Sequence, residues 1–110
     1  MNIPESVNIL GVNYTVERTN KLVVDKDICY GSMNTPYSVI KLNMGIQSEE
    51  YAKITFLHEV CHAILDHYNV TNNDEDRIPK SEEALCDLFA QGFYQFMNDN
   101  AEKLFDTRKE

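Results

Sequence analysis

Apolar and polar residues change rhythm once along this chain, near position 46. Before it they alternate in short runs broken by turn formers. Val7 and Ile9, then Gly11, then Tyr14 and Val16 predict two strands joined by a tight hairpin. Leu22-Val23-Val24 predicts the end of a third strand. The runs Ile28 to Met33 and Tyr37 to Leu42 flank Asn34-Thr35-Pro36, whose Asn and Pro favour a turn. In the second run Ile40 and Leu42 share one face, Tyr37 and Val39 the other, and alternation alone does not say which pair meets the core. Residues 1–46 are therefore expected to form a small, mostly antiparallel sheet of three or four strands.

Beyond position 46 the period lengthens. Ser48 followed by Glu49 and Glu50 supplies a hydroxyl to cap free N–H groups and acids for the positive end of a helix dipole. Ile54, Leu57, Cys61, Ile64, Leu65 and Tyr68 recur mainly at spacings of three and four, which predicts a helix over 48–68 with these residues as its buried stripe. Residues 69–80 are polar and acidic, with Pro79 near the end, and read as a loop. Ser81-Glu82-Glu83 repeats the start signal. Leu85, Leu88, Phe89, Gly92, Phe93, Phe96 and Met97 mark a second amphipathic helix over 81–99, ending at Asn98-Asp99-Asn100, with a charged tail over 100–110 that frays. The fold class is α+β: one domain, a sheet followed by two long helices.

Composition narrows the partners. At 110 residues, 43% hydrophobic and 25% charged, the chain can fill one core and not two. Ten Lys and Arg against eighteen Asp and Glu give a net charge of -8, which argues against nucleic acid and against anionic membrane surfaces. No apolar run approaches the ~20 residues of a membrane helix. The stretch Met1 to Glu5 has neither a basic start nor an apolar segment of a secretion signal. Cys29, Cys61 and Cys86 are odd in number and widely spaced, and are expected to be buried thiols in a reducing cytoplasm, where the sequon Asn69-Val70-Thr71 would be silent.

The chemistry-bearing stretch is His58-Glu59-Val60-Cys61-His62, an H-E-x-x-H on the first predicted helix. Residues i and i+4 lie one turn apart on one face, so both imidazoles can reach one cation, and imidazole suits Zn²⁺. Glu59 stands about 100° further round, beside the metal position and not at it. That offset suits a general base taking a proton from a zinc-bound water. Helices also carry solvent-facing His and Glu without chemical purpose. Here, Val60, Cys61, Ala63, Ile64 and Leu65 predict a largely buried helix, where two unpaired histidines would be costly.

A catalytic zinc needs a third protein ligand. A third histidine at position 68, with Gly at 65, would be one solution, but those positions hold Tyr68 and Leu65, and His67 is out of register. The other solution is a carboxylate from the next helix. Glu83 offers one, and Asp87 follows one turn later on the same face, able to accept a hydrogen bond from a ligand imidazole. Without the H-E-x-x-H, Glu83 would read as an ordinary first-turn acid. Cys61 points beside the ligand face, and both it and Cys86 read as packing residues.

With these motifs the chain resembles the gluzincin type of zincin metallopeptidase. The spacing from Glu83 to Asp87 is similar to the second zinc motif of thermolysin-like enzymes. The run from Glu83 to Ala90, E-x-x-C-D-x-F-A, resembles the E-x-x-A-x-x-F-A of the compact ImmA/IrrE group of bacterial and phage proteins. The resemblance implies a minimal zincin fold, zinc as cofactor, and a strand lying antiparallel to a bound peptide. Larger gluzincins add a Tyr or His at the oxyanion; Tyr37, His67, Tyr68 and Tyr94 are the candidates here.

The leading expectation is a zinc metalloendopeptidase: His58, His62 and Glu83 hold the ion, Glu59 acts as general base, and Asp87 orients a ligand. Peptide or protein substrate would pair with a strand within Ile28 to Leu42. The alternative is a non-catalytic, zinc-stabilised module that binds a peptide or protein. A third possibility is a metal-free helical hairpin with incidental histidines.

Overall fold

The computed structural model describes residues 1–68 and 82–106. Six strands precede two helices: β1 (Ser6–Ile9), β2 (Val12–Thr19), β3 (Val23–Val24), β4 (Asp27–Ile28), β5 (Gly31–Asn34), β6 (Val39–Asn43), α1 (Glu49–His67) and α2 (Glu82–Phe105). The α+β class holds, with a mostly antiparallel four-stranded sheet in the order β1-β2-β6-β5. The expected loop at 69–80 and the sequon lie outside the described residues.

The β1–β2 hairpin forms where alternation and Gly11 place it. Leu10 and Gly11 both take positive φ, 51° and 93°, as a two-residue turn that matches strand twist requires. The Asn8 side chain closes the turn by accepting the Gly11 N–H at 2.9 Å. Strands β3 and β4 form a separate ribbon, turned by Asp25 and Lys26, which also carry positive φ. Strands β5 and β6 pair antiparallel around the expected Asn34 to Pro36 turn. The parallel pairing of β2 with β6 was not foreshadowed: the chain leaves β2, makes the β3–β4 ribbon and β5, and returns with β6 beside β2 in the same direction.

Ile40 and Leu42, both fully buried, are the core-facing pair of β6. They join Val7, Ile9, Tyr14 and Val16 under Phe56, Val60, Ala63 and Ile64 of α1 and Phe96 and Leu104 of α2. Helix α1 starts as its sequence dictates, with Ser48 Oγ accepting the Tyr51 N–H at 3.1 Å. Its buried stripe differs from the expected one. Ala52, Thr55, Phe56, Glu59, Val60, Ala63 and Ile64 face inward, whereas Ile54 is 59% exposed and Tyr68 is exposed. The two stripes differ by roughly 150° around the helix. The larger side chains of Ile54, Leu57, Leu65 and Tyr68 dominate the sequence pattern, but the sheet takes the face on which Phe56, Val60 and Ile64 alternate with the smaller Ala52, Thr55 and Ala63.

Helix α2 runs through the expected stop at Asn98-Asp99-Asn100 to Phe105. Asn100 is not a terminator but a buried tie. Its Oδ1 accepts the Asn8 N–H at 2.8 Å, and its Nδ2 donates to the carbonyls of Asn8 at 2.6 Å and Phe96 at 2.8 Å. The Leu104 carbonyl accepts the Asn2 N–H, so the expected fraying tail is docked as far as this turn. Helices α1 and α2 touch at Gly92, where a Cβ would stand 2.7 Å from Ile64 Cγ2. Among the described residues no helix is long and apolar enough to cross a membrane.

Asn100→Ala would strand the Asn8 N–H and carbonyl at the β1 edge. The expected cost is about 3 kcal/mol, measured as a loss of unfolding free energy in urea. A loss under about 0.5 kcal/mol would show that water replaces the amide there.

Candidate active site

The H-E-x-x-H segment lies in the middle of α1, at the margin between its buried and exposed faces. His58 and His62 project on the exposed side, and Glu59 turns inward to 7% exposure. The two imidazoles converge: His58 Nε2 and His62 Nε2 are 3.1 Å apart, with ring centroids 4.8 Å apart and an interplanar angle of 73°. They can share one proton in a hydrogen bond. They also suit one cation, since two nitrogens bound at about 2.0–2.1 Å on tetrahedral axes are separated by about 3.3 Å. The expectation that the histidines sit in the core is corrected; they are exposed, so burial does not demand a metal partner for them.

Burial pushes the Glu59 carboxyl above the ordinary carboxylate range, and the neighbouring His58 pulls it partly back. His62 is held below the ordinary imidazole range by partial burial and then by His58. Burial raises the Cys61 thiol above its ordinary range. The three free cysteines are not all buried: Cys29 and Cys61 are half-buried and Cys86 is exposed.

The carboxyl of Glu59 opens into a cleft of about 320 Å³ lined by Tyr30, Gly31, Tyr51, Ile54, Thr55, His58 and Glu59. Its roof is the start of β5, an edge strand. Asn43 N–H donates to the Tyr30 carbonyl at 2.8 Å, so ladder alternation turns the main-chain groups of Gly31 and Met33 outward at the free edge. Gln47 ties this edge to α1. Its Nε2 donates to the carbonyls of Tyr30 at 2.9 Å and Asn43 at 2.8 Å, while its Oε1 accepts the Thr55 hydroxyl at 2.6 Å. Tyr30 and Tyr51 meet with ring centroids 5.7 Å apart, and with Ile54 they give one end of the cleft an apolar, half-exposed wall.

Glu83 and Asp87 are exposed on the first turns of α2 and do not join the imidazole pair. Among the described residues no group of three His, Cys, Asp or Glu gathers that could hold a metal ion. The reason lies in helix geometry. Gly92, nine residues after Glu83, is the contact with Ile64, so Glu83 stands about 13 Å up the α2 axis from it. It also points about 180° away from Gly92 around the helix. Of the oxyanion candidates, Tyr37 and Tyr94 are 80% and 73% exposed, and His67 and Tyr68 meet edge to face at the end of α1; none lines the cleft. The cleft tyrosines, Tyr30 and Tyr51, went unread in the sequence, because no motif marks them.

Comparison of the chain with protein-family models, characterised proteins and solved structures finds no match among any of them.

The folded pKa of Glu59 exceeds its unfolded value, so the folded state binds the extra proton and stability falls as pH rises from the ordinary carboxylate range through the raised pKa. Chelator-treated Glu59→Gln should lack that loss, matching the parent in acid and exceeding it at neutral pH. Denaturant titrations across pH check this; superimposable pH profiles would mean that the carboxylate suffers no burial penalty.

Proposed function

We propose that this protein is a zinc-dependent endopeptidase on a minimal zincin fold. The observation that carries the reading is the convergence of two imidazole nitrogens beside a desolvated carboxyl that opens into a cleft under a free strand edge. The imidazole pair fits two positions of a zinc site, His58 and His62. Glu83 is the proposed third ligand, and it would have to come from turns of α2 that now face solvent. When bound, zinc would supply a Lewis acid that lowers the pKa of water and favours the oxyanion.

The chain's own residues supply the rest. An extended peptide adds to the outward main-chain groups of Gly31 and Met33, which orients its carbonyl across the cleft. The buried wall of the cleft excludes water from one side of that carbonyl. Glu59 accepts a proton from the water whose oxygen bonds to the carbonyl carbon, and passes it to the amine nitrogen as the C–N bond breaks. Tyr30, Tyr51 and Ile54 favour a large apolar side chain next to the cleaved bond. Asp87 would orient a ligand imidazole, moving with Glu83. Three free thiols suit a reducing compartment such as the cytoplasm.

The second reading, a zinc-stabilised module that keeps the three ligands, binds a peptide and cuts nothing, is favoured by one observation: none of the expected oxyanion residues Tyr37, His67, Tyr68 and Tyr94 lines the cleft. Glu59→Gln separates the two. On the peptidase reading it retains zinc by elemental analysis and loses at least about 100-fold in turnover on a peptide library; on the other it binds peptide as the parent does. No chelator-sensitive cleavage by the parent would reject the peptidase.

The substrate prediction is checked separately. Cleavage sites should cluster beside large apolar residues, and Ile54→Asp should raise KM for those peptides about tenfold with little change in zinc content. Sites without apolar preference would remove the cleft from substrate binding.

A further inference from the structure

We infer that Gly31 is the positioning residue for Glu59: the missing side chain lets the edge of β5 lie against the buried carboxyl and fixes where it stands beside His58. The inference rests on the peptidase reading for the work Glu59 does, and adds the residue that holds it in place.

Conformation does not call for glycine at this position. Gly31 lacks a left-handed φ, unlike Gly11, so any residue could adopt its backbone. Space is what calls for it. Gly31 pairs with Leu42 and, like it, faces α1. A Cβ there would stand 2.7 Å from Thr55 Cγ2, 3.2 Å from Glu59 Oε2 and 3.2 Å from the Lys41 carbonyl oxygen. The first distance is closer than real Cβ atoms come, so something must shift.

The neighbours differ in how firmly they are held. Lys41 belongs to the central ladder of β6. Thr55 is anchored through its hydroxyl to Gln47, which is itself bonded to two carbonyls of the sheet edge. Turning the Thr55 methyl away by a rotamer step would break that anchor. Among the described residues no hydrogen bond fixes the Glu59 carboxyl. A methyl at position 31 therefore pushes α1 outward at Thr55 and leaves the carboxyl as the group free to move. Because the same glycine exposes its N–H and carbonyl at the strand edge, it also aligns the carboxyl with a peptide paired there.

The test is Gly31→Ala, alone and with Thr55→Ser, which deletes the clashing methyl and keeps the hydroxyl bonded to Gln47. Gly31→Ala should lower kcat about 100-fold, the scale of a ~1 Å misplacement. KM should stay within about threefold and zinc content should not change. The double variant should recover most of the kcat that Gly31→Ala loses, read against Thr55→Ser alone as its own baseline. A purely structural role would instead lower thermal stability while leaving kcat per folded, zinc-loaded molecule intact, and that outcome overturns the assignment. Crystal structures decide the point without activity. The Glu59 carboxyl should shift by about 1 Å in Gly31→Ala and return in the double variant. An unmoved carboxyl overturns the inference even if the parent is an active peptidase. A parent that cleaves nothing defeats the peptidase reading, yet these positions still decide the positioning. Should Gly31→Ala not fold, the double variant must fold with Glu59 in place, and its failure counts against the assignment.

Discussion

The close seating of α1 on the edge of the sheet is the constraint on which the rest of this molecule depends. Ala52 and Ala63 are small enough to let the helix approach, and Phe56, Val60 and Ile64 fill the space over Ile40 and Leu42. Burying three such side chains contributes about 2–3 kcal/mol each, enough to carry one desolvated carboxyl inward with the helix. Glu59 is that carboxyl. It lies on the same turns as the apolar residues, so the packing that stabilises α1 also removes Glu59 from water. The burial is partial, with one side opening into the cleft, and the side chain retains a route for proton exchange.

Two polar ties make the seating specific. Gln47 spans Tyr30 just before β5, the end of β6 and the Thr55 hydroxyl, so the helix cannot slide along the strand without breaking either its Thr55 bond to Gln47 or both bonds from Gln47 to the sheet. Asn100 does the same for α2 on β1. Surface charge contributes little by comparison. Arg18 holds Glu49 in a two-pronged pair at 2.6 and 3.1 Å, which lowers the Glu49 pKa, but both side chains are about half exposed and such pairs are worth under about 1 kcal/mol.

Local chemistry made part of this legible from sequence. Gly11 between alternating runs marks a hairpin because strand twist demands positive φ there, and Ser48-Glu49-Glu50 marks a helix start because free N–H groups demand acceptors. The H-E-x-x-H could be placed on a helix for the same reason. What depended on tertiary contact was not legible. The parallel β2–β6 pairing depends on where a distant hairpin inserts. The buried face of α1 depends on how closely the sheet approaches, which rewards Ala52 and Thr55 over Ile54. Asn100 reads as a stop because its side chain competes with helix backbone, yet here it is satisfied by β1. The role of Glu83 as a ligand was inferred from spacing, which fixes a residue's place along a helix but not which way the helix turns.

The imidazoles and the carboxyl divide the chemistry of α1 between two environments. His58 and His62 face solvent, where exchange with a metal or a proton is easy and no packing depends on them. Glu59 faces the sheet, where a Cβ at Gly31 would come within 3.2 Å of its Oε2. A group that must bind and release an ion gains from access, whereas a group that must meet a carbonyl at a fixed distance gains from confinement. One helix can meet both needs only at the line where its buried and exposed faces join, and on the proposed reading adjacent residues 100° apart would place the two functions on either side of it.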